Sequence, residues 1–179
     1  LATLLPARRA AAHAAPSGMV AWELPAPGPD GTLEFTLPFT LTRGNARGML
    51  AFLHAYLTRH AEPTSEDFNC RRVAAAIGEA GEGELRTLLW LAPYDLDVSQ
   101  DFVLALAPIG PGVCQATLRL RRLSGSEDAW LRTNRRFLDL IRHQFLLWRN
   151  LPPAQRERFI ARADSLPAAP VAAPASLPV

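Results

Sequence analysis

The sequence predicts an α+β two-layer sandwich, one mainly antiparallel sheet with two helices packed on one face, and three observations carry that expectation. The segment Gly125 to Leu151 is amphipathic at helical spacing: Trp130, Leu131, Asn134, Phe137, Leu138, Ile141, Phe145 and Trp148 recur at three- and four-residue steps. Thr32 to Thr40 and Val113 to Leu123 alternate apolar with polar residues, the period of a strand buried on one side. Short turns rich in Gly and Pro join the later strand candidates, which favours antiparallel neighbours because parallel ones need longer crossovers.

The long helix has its own boundary signals. Ser126 is placed to cap its start, and Glu127 and Asp128 put negative charge in the first turn, where the helix dipole favours it. Pro152 and Pro153 forbid continuation beyond Leu151. Its polar side carries Arg132, Arg135, Arg136, Asp139, Arg142 and His143. A second helix opens at Thr42 or Asn45, with Met49, Phe52, Leu53, Tyr56 and Leu57 on one stripe. Pro153 to Ala163 forms a short third helix that begins with proline and docks through Phe159 and Ile160.

Met19 to Leu24 is a short strand candidate before the Pro/Gly turn at 25–31. In Thr32 to Thr40, residues Leu33, Phe35, Leu37 and Phe39 share one face; Pro38 cannot donate to a ladder, so this strand lies at an edge or ends there. Asn69 to Ile77 is read as a strand, although its alanines suit a helix as well. Leu85 to Pro93 and Asp101 to Pro108 read as largely buried strands, and the tetrapeptide 109–112 turns the second into Val113 to Leu123. There Cys114, Ala116, Leu118 and Leu120 face the core while Gln115, Thr117, Arg119 and Arg121 face outward.

The 179 residues make one ordinary domain at 18–164, preceded by a flexible or membrane-proximal segment at 1–17 and followed by a disordered Pro/Ala-rich tail at 165–179. Every one of the nineteen basic residues is an arginine. Eleven lie between Arg119 and Arg162 against four acids, a local excess of seven in a chain whose net charge is +2. Cys70 and Cys114 stand in no CxxC motif and are expected to be two buried thiols rather than a disulfide. No run reaches the eighteen or so apolar residues of a membrane span. At 1–17, Arg8 and Arg9 follow the apolar residues, as at the cytoplasmic end of a transmembrane helix and unlike a signal peptide, where the charge comes first.

The chemistry-bearing constellations are sparse, and neither a cofactor nor a metal is expected. His54 and His60 are six apart and share no helical face. Ser99, Ser124 and Ser126 lie in no GxSxG setting, and no GxGxxG, Walker, HExxH or EF-hand pattern occurs. Tyr94, Asp95 and Asp97 offer two carboxylates for a divalent ion or an acid/base pair, although a solvated loop between strands gives the same letters. The most substantial surface feature is a basic patch of Arg119, Arg121, Arg132, Arg135, Arg136 and Arg142, suited to an acidic protein partner or an anionic membrane surface. Acids on the earlier strands stand against it as neutralising partners. Nucleic acid is not the expected partner, because no aromatic residues interleave with these arginines as in a base-stacking platform.

Residues 4–11, Leu-Leu-Pro-Ala-Arg-Arg-Ala-Ala, resemble the point where the last transmembrane helix of an FtsX/MacB-type ABC transporter permease reaches the cytoplasm. The block from Trp130 to Leu151 resembles an extra C-terminal cytoplasmic domain carried by some of those permeases. Ordinary members stop soon after the arginines, so the resemblance implies an appended domain at the inner face of a bacterial membrane. It implies no ATP site, no catalytic residue, and a role in binding a partner or bracing the permease against its ATPase. Together these readings give a non-enzymatic cytoplasmic interaction domain of a membrane complex. The alternative is a small-molecule site or enzyme near Tyr94, Asp95 and Asp97.

Overall fold

The structure, a computed structural model, describes residues 24–60, 68–90 and 98–168. Among them the order is β1 (Thr32–Thr42), α1 (Arg43–Arg59), β2 (Asn69–Ile77), β3 (Gly83–Trp90), β4 (Ser99–Gly110), β5 (Val113–Ser124), α2 (Glu127–Asn150) and α3 (Pro153–Ala163). The strands make one open antiparallel sheet in the order β1-β5-β4-β3-β2. The α+β sandwich expected from the sequence is what forms, with β2 to β5 as a meander and β1 closing beside β5. The segment expected as a strand at 19–24 is described only at Leu24, which packs against the core outside any strand.

One face of the sheet is apolar because the alternating residues fall into cross-strand rows. Leu33, Leu120 and Phe102 stand opposite one another across β1, β5 and β4, and Phe35, Leu118, Leu104, Leu85 and Ala75 form the next row across all five strands. β1 carries a bulge between Thr36 and Thr40, at Pro38. The bulge inserts an even number of residues, so Leu33, Phe35, Leu37, Phe39 and Leu41 keep one face. β1 is an edge strand, as Pro38 requires.

β2 is irregular for a different reason. A single extra residue lies between Arg71 and Ala74, and Arg72 takes a left-handed φ of 54°. The side chain of Thr87 fills the gap by donating to the Arg71 carbonyl at 2.9 Å. One inserted residue shifts the phase, so Cys70 and Ala75, five apart, both face the core. At the opposite end, Pro111-Gly112 turns β4 into β5, with Gly112 at φ 68°. The Gly112 carbonyl then accepts from Arg43 N at 3.0 Å, satisfying an orphan donor of α1.

The helices cover the apolar face. Thr42 caps α1, its hydroxyl accepting from Asn45 N at 3.3 Å, and Ser126 caps α2 through Ala129 N at 3.2 Å. On α2, Trp130, Phe137, Phe145 and Trp148 are all buried, and Phe137 meets Phe102 and Phe68 edge-on. α1 is buried on more than one side, Leu50 and Ala51 included, because α3 covers its back: Phe159 lies edge-on to Phe52 at 5.2 Å. Beyond α3, Leu166 packs on the core and the Pro167 carbonyl accepts from Ile77 N on the β2 edge at 2.9 Å. The docked chain therefore passes Asp164, the expected end of the domain, and residues 169–179 of the expected tail lie outside the described residues.

The three helices converge on Gly48, where an added Cβ would meet the Trp148 ring at 2.5 Å and Ile160 at 2.7 Å. Overpacking of about 1–3 kcal/mol outweighs a helix-propensity gain of about 1 kcal/mol, so Gly48→Ala is expected to lose stability overall. Gly44, in the first turn of the same helix, has nothing within 4 Å of such a carbon. Gly44→Ala should therefore stabilise by roughly 0.5–1 kcal/mol, giving guanidinium midpoints that move in opposite directions for the two variants.

Candidate functional site

The basic patch expected from the sequence divides between two sides of the molecule. Arg119 and Arg121 alternate along β5 with Leu118 and Leu120, which are fully buried toward the helices, so the two arginines point to the far face of the sheet. Acids meet them there: Arg119 is in register with Glu34, and the Arg121 guanidinium pairs with Asp101. Arg86 pairs with Glu84 at 2.8 Å on the same face, and Arg71 lies 4.8 Å over the Trp90 ring. A groove of about 330 Å³ on this face is lined by Asp30, Glu34 and Asp101 against Arg86, Arg119 and Arg121, an even balance. The neutralising acids foreseen on the earlier strands are in place.

Arg132, Arg135, Arg136 and Arg142 sit together on the side of α2 turned away from the sheet. Arg132, Arg135 and Arg136 are exposed, and Arg132 Nε donates within its own helix to the Asp128 carbonyl at 3.4 Å. Asp139 answers Arg142 at 3.4 Å, a solvent-exposed pair of small energetic weight. The structure thus brings four of the six arginines together and sends the other two elsewhere. The alternation that placed Leu118 and Leu120 under the helices already implied this division.

A second feature has no counterpart in the sequence reading. A crevice of about 440 Å³ opens between the β1 edge and the helices, floored by Met49, Phe145 and Trp148, with Phe39 on the strand side. Phe39 and Phe145 meet edge-on at 5.5 Å. Arg149 of α2 and Arg156 of α3 stand at the crevice, and no acid lines it among the described residues. Its walls come from two consecutive pairs of elements, β1 with α1 and α2 with α3, that are far apart in the chain, so no local pattern announces it. Tyr94, Asp95 and Asp97 lie outside the described residues.

His60 stacks on Phe68 at 4.3 Å and its Nδ1 lies 3.0 Å from the Tyr56 carbonyl. Burial, then the charge of Arg162, holds His54 below the ordinary histidine value. Among the described residues no group of three or more His, Cys, Asp or Glu is placed to hold a metal. Also among them, no helix is long and apolar enough to cross a membrane. Cys70 and Cys114 are buried free thiols on β2 and β5, separated by three strand spacings, roughly 14 Å, across the sheet and further by lying at opposite ends of it, too far for a disulfide. No protein-family model, curated protein or solved structure matches the chain.

Burial pushes the Cys70 thiol up to about 12, against a smaller opposing effect of a hydrogen bond with Thr87. Unfolding restores an ordinary thiol near 9, so above that pH the unfolded chain holds fewer protons than the native one and stability falls as pH rises. Cys70→Ala is expected to flatten the decline between pH 9 and 12 relative to the parent protein, by a slope of up to about 1.4 kcal/mol per pH unit. Denaturant titrations across that range measure the difference.

Proposed function

We propose that this chain is a non-enzymatic interaction domain at the cytoplasmic face of a bacterial membrane complex, of the FtsX/MacB-like permease kind. Its contact surface is the outward side of α2. The carrying observation is the cluster of Arg132, Arg135, Arg136 and Arg142 on one side of a helix whose other side is locked into the core. Four guanidinium groups outnumber the neighbouring acids Asp128 and Asp139 and favour an anionic counterpart, and a rigid helix presents them without loop ordering. The resemblance of residues 4–11 to the inner end of a permease helix supports a location at the membrane surface, where anionic lipid headgroups supply that charge. Arg119 and Arg121 are not part of this surface.

Each arginine near an anionic membrane contributes about 1 kcal/mol, so reversing three of them removes most of the attraction. The triple variant Arg132→Glu, Arg135→Glu, Arg136→Glu is expected to lose co-sedimentation with phosphatidylserine-containing vesicles at low salt by at least tenfold, without change in melting temperature. Reversing Arg119 and Arg121 should leave it intact. Vesicle binding unaffected by the triple change would reject the α2 surface.

A further inference from the structure

The crevice beside β1 combines three properties, the last two of which set it apart from the sheet-face groove. It is deep enough to reach Met49, which is fully buried, and its volume of about 440 Å³ lies in the range of small-ligand sites. Its floor and strand-side wall are aromatic and apolar, through Phe39, Phe145 and Trp148. Its charge is one-sided: Arg149 and Arg156 line it, with no acid among the described lining residues, whereas the sheet-face groove balances three arginines with three acids. Arg156 is half-buried and forms no ion pair among the described residues.

We propose that this crevice binds a small anionic amphiphile, a carboxylate carrying an apolar body of several carbons. The apolar body lies against Met49, Phe145 and Trp148, where burial from water drives it in. The carboxylate lies at Arg149 and Arg156, whose planar guanidinium groups match its geometry. Among the described residues no further strand pairs with the β1 edge to fill the space on that side. Pro38, in the β1 bulge, disfavours occupation by an added peptide strand and leaves a compact ligand as the better fit. An occupant touches β1, α1, α2 and α3 at once, so binding clamps the helix layer to the strand edge. The crevice is separate from the outward α2 surface, sharing none of Arg132, Arg135, Arg136 and Arg142, and binding at one does not require the other.

The probe pair is octanoate and 1-octanol, which share an apolar chain and differ in charge. Titration of the intact protein, followed by intrinsic tryptophan emission and by thermal shift, is expected to show saturable octanoate binding at least tenfold tighter than octanol. That ratio is the discrimination of one charge-assisted contact, tenfold per 1.4 kcal/mol. The double variant Arg149→Gln, Arg156→Gln should weaken octanoate about tenfold and leave octanol unchanged. Chemical-shift mapping on the unaltered protein provides a readout independent of variant folding: octanoate should perturb the Met49 methyl and the Trp148 indole. Absence of saturable octanoate binding, equal affinity for the two probes, undiminished binding by the double variant, or perturbations centred away from Met49 and Trp148 would each overturn the proposal.

Discussion

The fold depends on the burial of one helix stripe on one sheet face. Trp130, Phe137, Phe145 and Trp148 of α2 are at most 3% exposed. At 150–250 Å² apiece, such side chains supply on the order of 20 kcal/mol of gross apolar transfer before the entropy of ordering is subtracted. Burial alone has no direction, and a single polar contact fixes the register. The Trp130 indole donates to Gln100 Oε1 at 2.7 Å inside the core, both residues being fully buried. An indole N–H left without that partner would carry its full desolvation cost, so a helix slipped along the sheet is penalised more than its lost packing suggests.

The other elements follow from that placement. α2 rises from the end of β5 and brings Phe145 to Phe39 and Trp148 to Phe52, setting where α1 packs against it. Gly48 permits the close approach, and α3 then covers the back of α1. The β2 edge is partly occupied by backbone hydrogen bonds from Cys70 N to the His60 carbonyl and from Ile77 N to the Pro167 carbonyl. The β1 edge instead relies on Pro38 and its bulge. This asymmetry leaves the crevice on the β1 side.

Much of the architecture is legible residue by residue. Ser126, the aromatic stripe and Pro152 define α2 to within a residue; Pro38 leaves β1 either at an edge or ending there, and the strand is an edge that runs on to Thr42. β2 is harder to read because the insertion at Arg72 breaks the alternation, leaving core positions five apart where a strand should show an even spacing. β4 also hides its period: Phe102, Val103 and Leu104 are buried in succession, the central one under charged side chains of the outer face. The arginine surface was half legible. Helical spacing groups Arg132, Arg135, Arg136 and Arg142 correctly, but joining Arg119 and Arg121 to them ignores the thickness of the sheet between. The crevice was illegible, since it exists only where four separate elements meet.

These constraints also keep the two proposed surfaces independent. The outward side of α2 is rigid because its inward side is locked, and the crevice lies at the edge where that lock ends. Both rest on α2 being seated on the sheet through Trp130. Hydrogen exchange of the Trp130 indole N–H, followed by nuclear magnetic resonance in deuterated water, tests this seating directly. A proton bonded to Gln100 in the centre of the core should exchange only on global unfolding, with a protection free energy equal to that from denaturant titration. Exchange at a rate approaching that of a free indole, under conditions where the protein is folded, would show that α2 is not held as described.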